Sequence, residues 1–241
     1  MVKLSIISHY YNHPQMVIDQ IAYWETLPDF FLDAVEFILV DDCSENKPIF
    51  PPSKLNLKLL RIITDLPWNQ AGARNLGTFT ASGDWALYFD IDQKFYIDPM
   101  IRVLANLDNL NDMCMYYLRI KELIDITNNN SLSYHPNTFL VKLSKFKQLA
   151  MYDEDFVGHY GYEDLYMPQV WEKNKGHRTL LNDAIFFEDM GFGTHNLDRD
   201  LTRNYALAQE KMLAGLKNSK GILRFEWESI DISKGYGLNY L

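Results

Sequence analysis

The chain has 241 residues, with 23 Lys and Arg against 32 Asp and Glu and a formal charge of −9. At 47% hydrophobic and 23% charged it has the composition of an ordinary folded protein, which excludes disordered and fibrous classes. The length fits one large domain, and at that size burial of roughly 70–75% of the chain surface removes any need for disulfide or metal staples.

The first residues, MVKLSIISHYYNHP, hold an apolar stretch too short for a signal peptide or a membrane span. Lys3–Ser8 reads as a strand. Pro14–Thr26 has helical apolar spacing, with proline suited to the first turn. Val35–Val40 (VEFILV) is nearly all apolar, as expected of a strand buried on both faces. The proline-rich 47–53 stretch is a loop, followed by a strand at Leu57–Ile63, a helix at Ala71–Ala81 and a strand at Trp85–Phe89. This alternation implies a mostly parallel α/β sheet flanked by helices.

Beyond Asp98-Pro99 the pattern predicts a helix to about Leu107, strands at Met113–Ile120 and Thr138–Val141, and a surface loop over the Asn-rich Thr127–Pro136 between them. A helix at Asp164–Lys173, a strand at Arg178–Phe187, a helix at Asp198–Leu216 and a strand at Ile222–Glu228 complete the reading. Neither repeats nor a low-complexity linker divide the chain. The two cysteines, Cys43 and Cys114, build no disulfide framework and no zinc site, which points to a reducing, cytoplasmic setting, soluble or peripheral to a membrane. The acidic balance argues against a broad nucleic-acid footprint.

In open α/β sheets ligands bind beyond the carboxyl ends of the strands. The residues there are His9 to Asn12, Asp41-Asp42-Cys43-Ser44 and Asp90-Ile91-Asp92. Asp41 and Asp42 also suit helix caps and turns. Asp90 and Asp92 are two like charges at the end of an apolar strand, which suits a hard divalent ion such as Mg²⁺ or Mn²⁺ shared with a diphosphate. Arg74 and Asn75 supply a cation and an amide on the preceding helix, readable as a diphosphate clamp or as a solvated helix face. Glu163 and Asp164 open a later helix, as dipole partners or as an acceptor-binding group and a general base, with Tyr162 offering an aromatic surface to a sugar. The glycines form no dinucleotide fingerprint and no P-loop.

Taken together, SIISHYYN, ILVDDCS, WNQAGARNLG, ASGDWALYFDID and GYEDLYMPQVW resemble the GT-A-fold glycosyltransferases, specifically the stand-alone family 2 group found in bacteria and large viruses, over roughly residues 3–195. The resemblance implies a metal-dependent, inverting enzyme moving a sugar from a nucleotide-diphosphate sugar, with UDP the favoured nucleotide, to a hydroxyl of a glycan, lipid-linked or protein acceptor. It implies one domain, with a nucleotide-sugar half to about 110, an acceptor half to about 195 and a packed C-terminal helix and strand at 196–241. By resemblance His9 and Tyr11 frame the base, Asp41 or Asp42 binds base or ribose, Arg74 and Asn75 lie near the nucleotide, and Asp90 and Asp92 form the Asp-x-Asp metal motif. Asp164 is the implied base and Glu163 its acceptor-binding neighbour.

Two positions depart from the family pattern. Gln93 stands where a further acid is usual, and Phe186-Phe187-Glu188-Asp189 occupies the strand end that often carries a metal-binding histidine. The nearest histidine, His195 in a glycine-rich loop, would complete the metal site as a lid or be a surface residue, with Asp189 the other option. His177 begins a strand, and His13, His135 and His159 receive no role. A degenerate module that binds sugar or nucleotide without turnover is the alternative. A sugar nucleotidylyltransferase is excluded for want of a Gly-rich, Arg-containing N-terminal phosphate loop.

Overall fold

The computed structural model describes residues 2–120, 134–181, 186–189, 197–219, 221–233 and 235–237, with backbone alone at 120 and 186–189. Four strands, β1 (Leu4–Tyr10), β2 (Val35–Asp42), β3 (Leu57–Ile62) and β4 (Trp85–Tyr88), pair in parallel in the order β3-β2-β1-β4. This is the parallel core expected from the alternating pattern. Every residue of β2 is buried, because helices cover both faces of the sheet. Glu36 lies inside that strand, and its carboxylate accepts from the Ser5 hydroxyl (2.6 Å), the Ser82 amide (2.6 Å) and Lys58 (2.8 Å), so the core charge is paired.

The sheet continues through strands that break the parallel pattern. β7 (Tyr134–Lys142) is antiparallel to β4, and β6 (Cys114–Ile120) is antiparallel to β7. β8 (His177–Leu180) and β9 (Phe186–Asp189) both run parallel to β6, and β5 (Gln93–Phe95) pairs antiparallel with β9. β10 (Trp227–Ile230) covers the far edge, antiparallel to β3.

One core layer packs α1 (Pro14–Trp24), α2 (Asp29–Leu32) and α4 (Ile97–Asn106) on the sheet through Trp24, Phe31, Phe37, Phe89 and Met100. The other packs α3 (Gln70–Thr80), α5 (Leu143–Leu149), α6 (Glu163–Lys173) and α7 (Thr202–Leu213) through Leu76, Tyr88, Phe139, Phe146 and Trp171. Helix α3 approaches β1 closely at Gly77, where a Cβ would stand 2.5 Å from Cγ2 of Ile7. Among the described residues, no helix is long and apolar enough to cross a membrane.

Several boundaries differ from the sequence reading. The single strand expected at 178–187 is two strands, β8 and β9, with 182–185 outside the described residues. β7 begins at Tyr134 rather than Thr138, so the end of the expected loop at 134–136 is strand. The last strand lies at 227–230 rather than 222–228, because the amides of Leu223 and Arg224 are bound by Glu154 instead of a neighbouring strand. Helix α7 starts only at Thr202, where the Asp200 carboxylate accepts both its amide and its hydroxyl. β5 and α5 were not anticipated, being three and seven residues long.

Candidate active site

The carboxyl ends of β1, β2 and β4 face one rim, as parallel pairing requires. The β1–α1 loop is stapled to the loop after β2: the Asn12 amide donates to the Ser44 hydroxyl (2.8 Å), and its side-chain oxygen accepts from the amides of Glu45 (2.8 Å) and Asn46 (3.1 Å). Four non-glycine residues on these connections adopt left-handed backbone: Asn12 (φ 53°), Cys43 (59°), Trp68 (50°) and Tyr162 (75°). Each such residue carries roughly 1–2 kcal/mol of strain.

Asp41 is fully buried, accepts from the Ser44 amide (2.8 Å) and pairs with Arg61. Asp42 is nearly as buried and accepts from Nδ2 of Asn69 at 3.0 Å. Burial pushes the Asp42 carboxyl up to about 7, against the lowering hydrogen bond from Asn69, with the charges of Asp41 and Asp65 adding to the rise. Tyr11 is half-buried beside it, its phenol raised by burial and by the fields of Asp65 and Asp42.

Asp90 follows β4. Its Oδ1 accepts from Nη2 of Arg74 at 2.5 Å, and its Oδ2 lies 3.4 Å from Nδ2 of Asn137 and 3.5 Å from Nδ1 of His135. Burial raises its carboxyl, but Arg74, His135, His9 and the Asn137 hydrogen bond outweigh this and hold it below the ordinary value. Arg74 is 1% exposed, and its Nη1 donates to the Asn137 carbonyl (3.0 Å) and the Tyr152 hydroxyl (2.9 Å). The guanidinium is therefore a buried counter-ion of Asp90. Asn75 is also fully buried: its Nδ2 donates to the Tyr152 carbonyl (2.9 Å) and Glu154 (2.8 Å), and its Oδ1 accepts from the Tyr152 amide (2.9 Å).

His9 belongs with Asp90. Burial, with Arg74 adding and Asp90 opposing, lowers its imidazole to about 4, so it is neutral, and its buried Nδ1 has no protein partner. Asp92 lies half-buried in the turn after Asp90. Gln93 is an internal strut: its Oε1 accepts from the Thr138 hydroxyl (2.6 Å) and its carbonyl accepts from Gln20 (2.5 Å). β9 ends at Asp189, whose backbone pairs with Gln93, so the strand that often carries a third metal ligand does end beside the Asp-x-Asp turn. The side chain of Asp189 and all of His195 lie outside the described residues.

Glu163 and Asp164 open α6 after Gly161 (φ 79°) and Tyr162. Burial raises both carboxyls; the charge of Asp164 adds to the rise at Glu163, while Arg74 opposes it at both. Asp164 also feels Asp90 and His135, so the acidic helix start and the Asp-x-Asp turn share one electrostatic site around Arg74. Tyr162 packs against Tyr205 at 5.6 Å between ring centroids, and Trp68 packs on Tyr160 at 4.6 Å nearby in sequence to that start.

His135, Asn137 and Tyr152 are residues of this site that the sequence reading missed. The first two were hidden by the late start assigned to β7. Tyr152 carries no local signal, since its partners lie on α3.

The donor set suits a divalent ion of the Mg²⁺ or Mn²⁺ type. Such ions are held by one or two carboxylates and complete their shell with water and substrate phosphate. Among the described residues no group of three or more His, Cys, Asp or Glu side chains converges as a closed cage, which matches a shared site rather than a structural one.

No family model matches the chain. A curated relative, an uncharacterized glycosyltransferase of Haemophilus influenzae, is 31% identical over 111 residues, covering 45% of this chain and 36% of the relative, so the chain spans about a third of that protein's length. Among solved structures, S. aureus TarS 1-349 in complex with UDP-GlcNAc matches 91% of this chain and 68% of its own with a TM-score of 0.63 at 16% identity. GalNAc-T7 with UDP, GalNAc and Mn²⁺ matches 78% of this chain and 44% of its own with a TM-score of 0.58 at 12% identity. The chain therefore has the GT-A glycosyltransferase fold, as the sequence resemblance implied.

Proposed function

We propose that the chain is a metal-dependent, inverting glycosyltransferase of the family 2 type that takes a sugar from a UDP-sugar to an acceptor hydroxyl. The observation that carries this reading is the shared site: Asp90 on the donor side and Asp164 on α6 come within one another's field around the buried Arg74. The curated relative's name and the UDP-sugar and Mn²⁺ bound by the two structural neighbours support it.

In this reading the nucleotide lies over the rim of β1 and β2, with Tyr11 and Asp42 at the base and ribose. Asp92 and Asp90 are the ligands of a divalent ion, with Asp189 or His195 as a third. That ion supplies neutralising charge to the diphosphate as it leaves. Asp164 takes the proton of the acceptor hydroxyl. The freed oxygen attacks the anomeric carbon from the face opposite the nucleotide, the C–O bond to the diphosphate breaks with its electron pair, and configuration inverts. Burial of Asp164 raises its basicity toward neutral pH, which suits a general base. Glu163, still more buried and raised by its neighbour's charge, retains its proton more readily and is a hydrogen-bond donor to the acceptor.

The test is thermal unfolding with UDP, GDP, CDP and dTDP, each with and without Mn²⁺, followed by transfer assays on Asp164→Asn. A metal-enhanced shift with UDP and loss of transfer without loss of UDP binding are expected. Near-normal turnover in Asp164→Asn would refute the base assignment. Nucleotide binding without any turnover of wild-type protein would mark a binding module instead.

A further inference from the structure

The donor-side carboxylate and the acceptor-side base sit on different elements, and the structure holds them to one another through a residue that touches neither substrate. We propose that Tyr152 is a positioning residue of the transferase read above: its hydroxyl fixes the Arg74 guanidinium so that Asp90 and Asp164 keep one separation.

Arg74 and Asn75 are consecutive on α3, and both converge on residue 152. Arg74 binds its hydroxyl, with Nη1 to Oη at 2.9 Å. Asn75 binds its backbone on both sides, accepting from the amide and donating to the carbonyl at 2.9 Å each. The Tyr152 ring is held in turn by an edge contact with Phe146, 6.2 Å between centroids. The clamp reaches further, because Nδ2 of Asn75 also donates to Glu154, whose carboxylate accepts from the amides of Leu223 (2.8 Å) and Arg224 (3.1 Å). Tyr152 is thus anchored independently of Arg74, and the arginine takes its position from the tyrosine.

The consequence for the site follows from the arginine's other bonds. Nη1 is shared between Tyr152 and the Asn137 carbonyl, and Nη2 points at Asp90. Without the phenolic oxygen, Nη1 keeps one acceptor and the guanidinium can pivot about it. Asp90 then loses a fixed partner, and Asp164 loses a fixed opposing charge. Tyr152 is 1% exposed and meets no solvent, so its effect on chemistry passes through Arg74.

Tyr152→Phe removes the oxygen and keeps the ring. Tyr116→Phe is the matched control: it is also buried, and its hydroxyl accepts from the Asn111 amide at 2.8 Å in the opposite core layer. Two quantities are read on intact protein: the Mn²⁺ concentration that half-saturates the UDP-dependent thermal shift, and kcat at saturating donor. In Tyr152→Phe the first should rise and the second fall, each by about 3- to 10-fold, the effect of one lost hydrogen bond. Tyr116→Phe should lose comparable thermal stability and change neither.

If the two folded variants behave alike, the positioning role is overturned. Should Tyr152→Phe not fold, 3-fluorotyrosine at 152 keeps the ring and weakens the hydroxyl as an acceptor; a smaller change in the same direction is expected, and none would overturn the inference. A wild-type protein without metal-enhanced UDP binding would instead bring down the transferase reading, and this inference with it.

Discussion

Asp42→Asn should stabilise the fold while weakening the protein's hold on nucleotide. Asp42 is 6% exposed and burial holds its carboxyl at about 7, whereas in the unfolded chain it titrates near 3.8. Between those values the folded state keeps a proton that the unfolded state has released, so stability falls as pH rises through that window and is level above it. A rise of about three pH units corresponds to at most about 4 kcal/mol. Asparagine keeps the shape and an oxygen to accept from Asn69, and removes the charge. Urea unfolding of both proteins at pH 4.5 and pH 8 is the assay. The variant should match wild type at the lower pH and exceed it by about 2–4 kcal/mol at the higher. A stability difference equal at the two pH values would refute the reasoning, because it would not come from an ionised buried carboxylate. UDP affinity, measured alongside, should fall about tenfold with loss of a charged acceptor.

Other perturbations probe the scaffold and the ion. Gly77→Ala places a methyl 2.5 Å from Cγ2 of Ile7 and should lower stability by about 1–3 kcal/mol in denaturant titration; an unchanged midpoint would mean that α3 lifts freely from β1. Glu154→Ala strips the acceptor from Asn75 and from the amides of Leu223 and Arg224, so limited proteolysis between 216 and 226 should begin well before global unfolding, with a loss of about 2–4 kcal/mol; wild-type resistance would refute the anchor. Because Oδ1 of Asp90 is already committed to Arg74, Mn²⁺ should bind the protein at least about tenfold more tightly with UDP than without it, as measured by calorimetry. Equal affinity would reveal a cage formed by protein alone.

The parallel core was legible because its strands are buried runs of apolar residues, which leave little choice of conformation. VEFILV could only be a central strand, and Pro14 announced α1. What followed was harder. Phe139–Val141 read as a strand, but the preceding Tyr-His-Pro-Asn is polar and carries a proline, so the strand's true start at Tyr134 stayed hidden. That start carries His135 and Asn137 to Asp90. The Asp-x-Asp and Glu-Asp pairs were visible as chemistry at element ends. The use made of Arg74 and Asn75 was not, because it depends on Tyr152, which is 78 residues from Arg74 in sequence. Side-chain hydrogen bonds across such separations leave no periodic trace.

The left-handed residues at 43 and 68 bear on how this protein would respond to selection. Glycine adopts such backbone without strain, so Cys43→Gly or Trp68→Gly would relieve about 1 kcal/mol each. Neither glycine would keep the side chain that shapes the rim: Trp68 packs on Tyr160 and its indole N–H donates to the Asp198 carbonyl at 2.8 Å. Selection for heat resistance alone would therefore gather glycines around the mouth of the sheet and blunt the catalyst. Selection for turnover would keep the strained residues and accept a lower melting temperature.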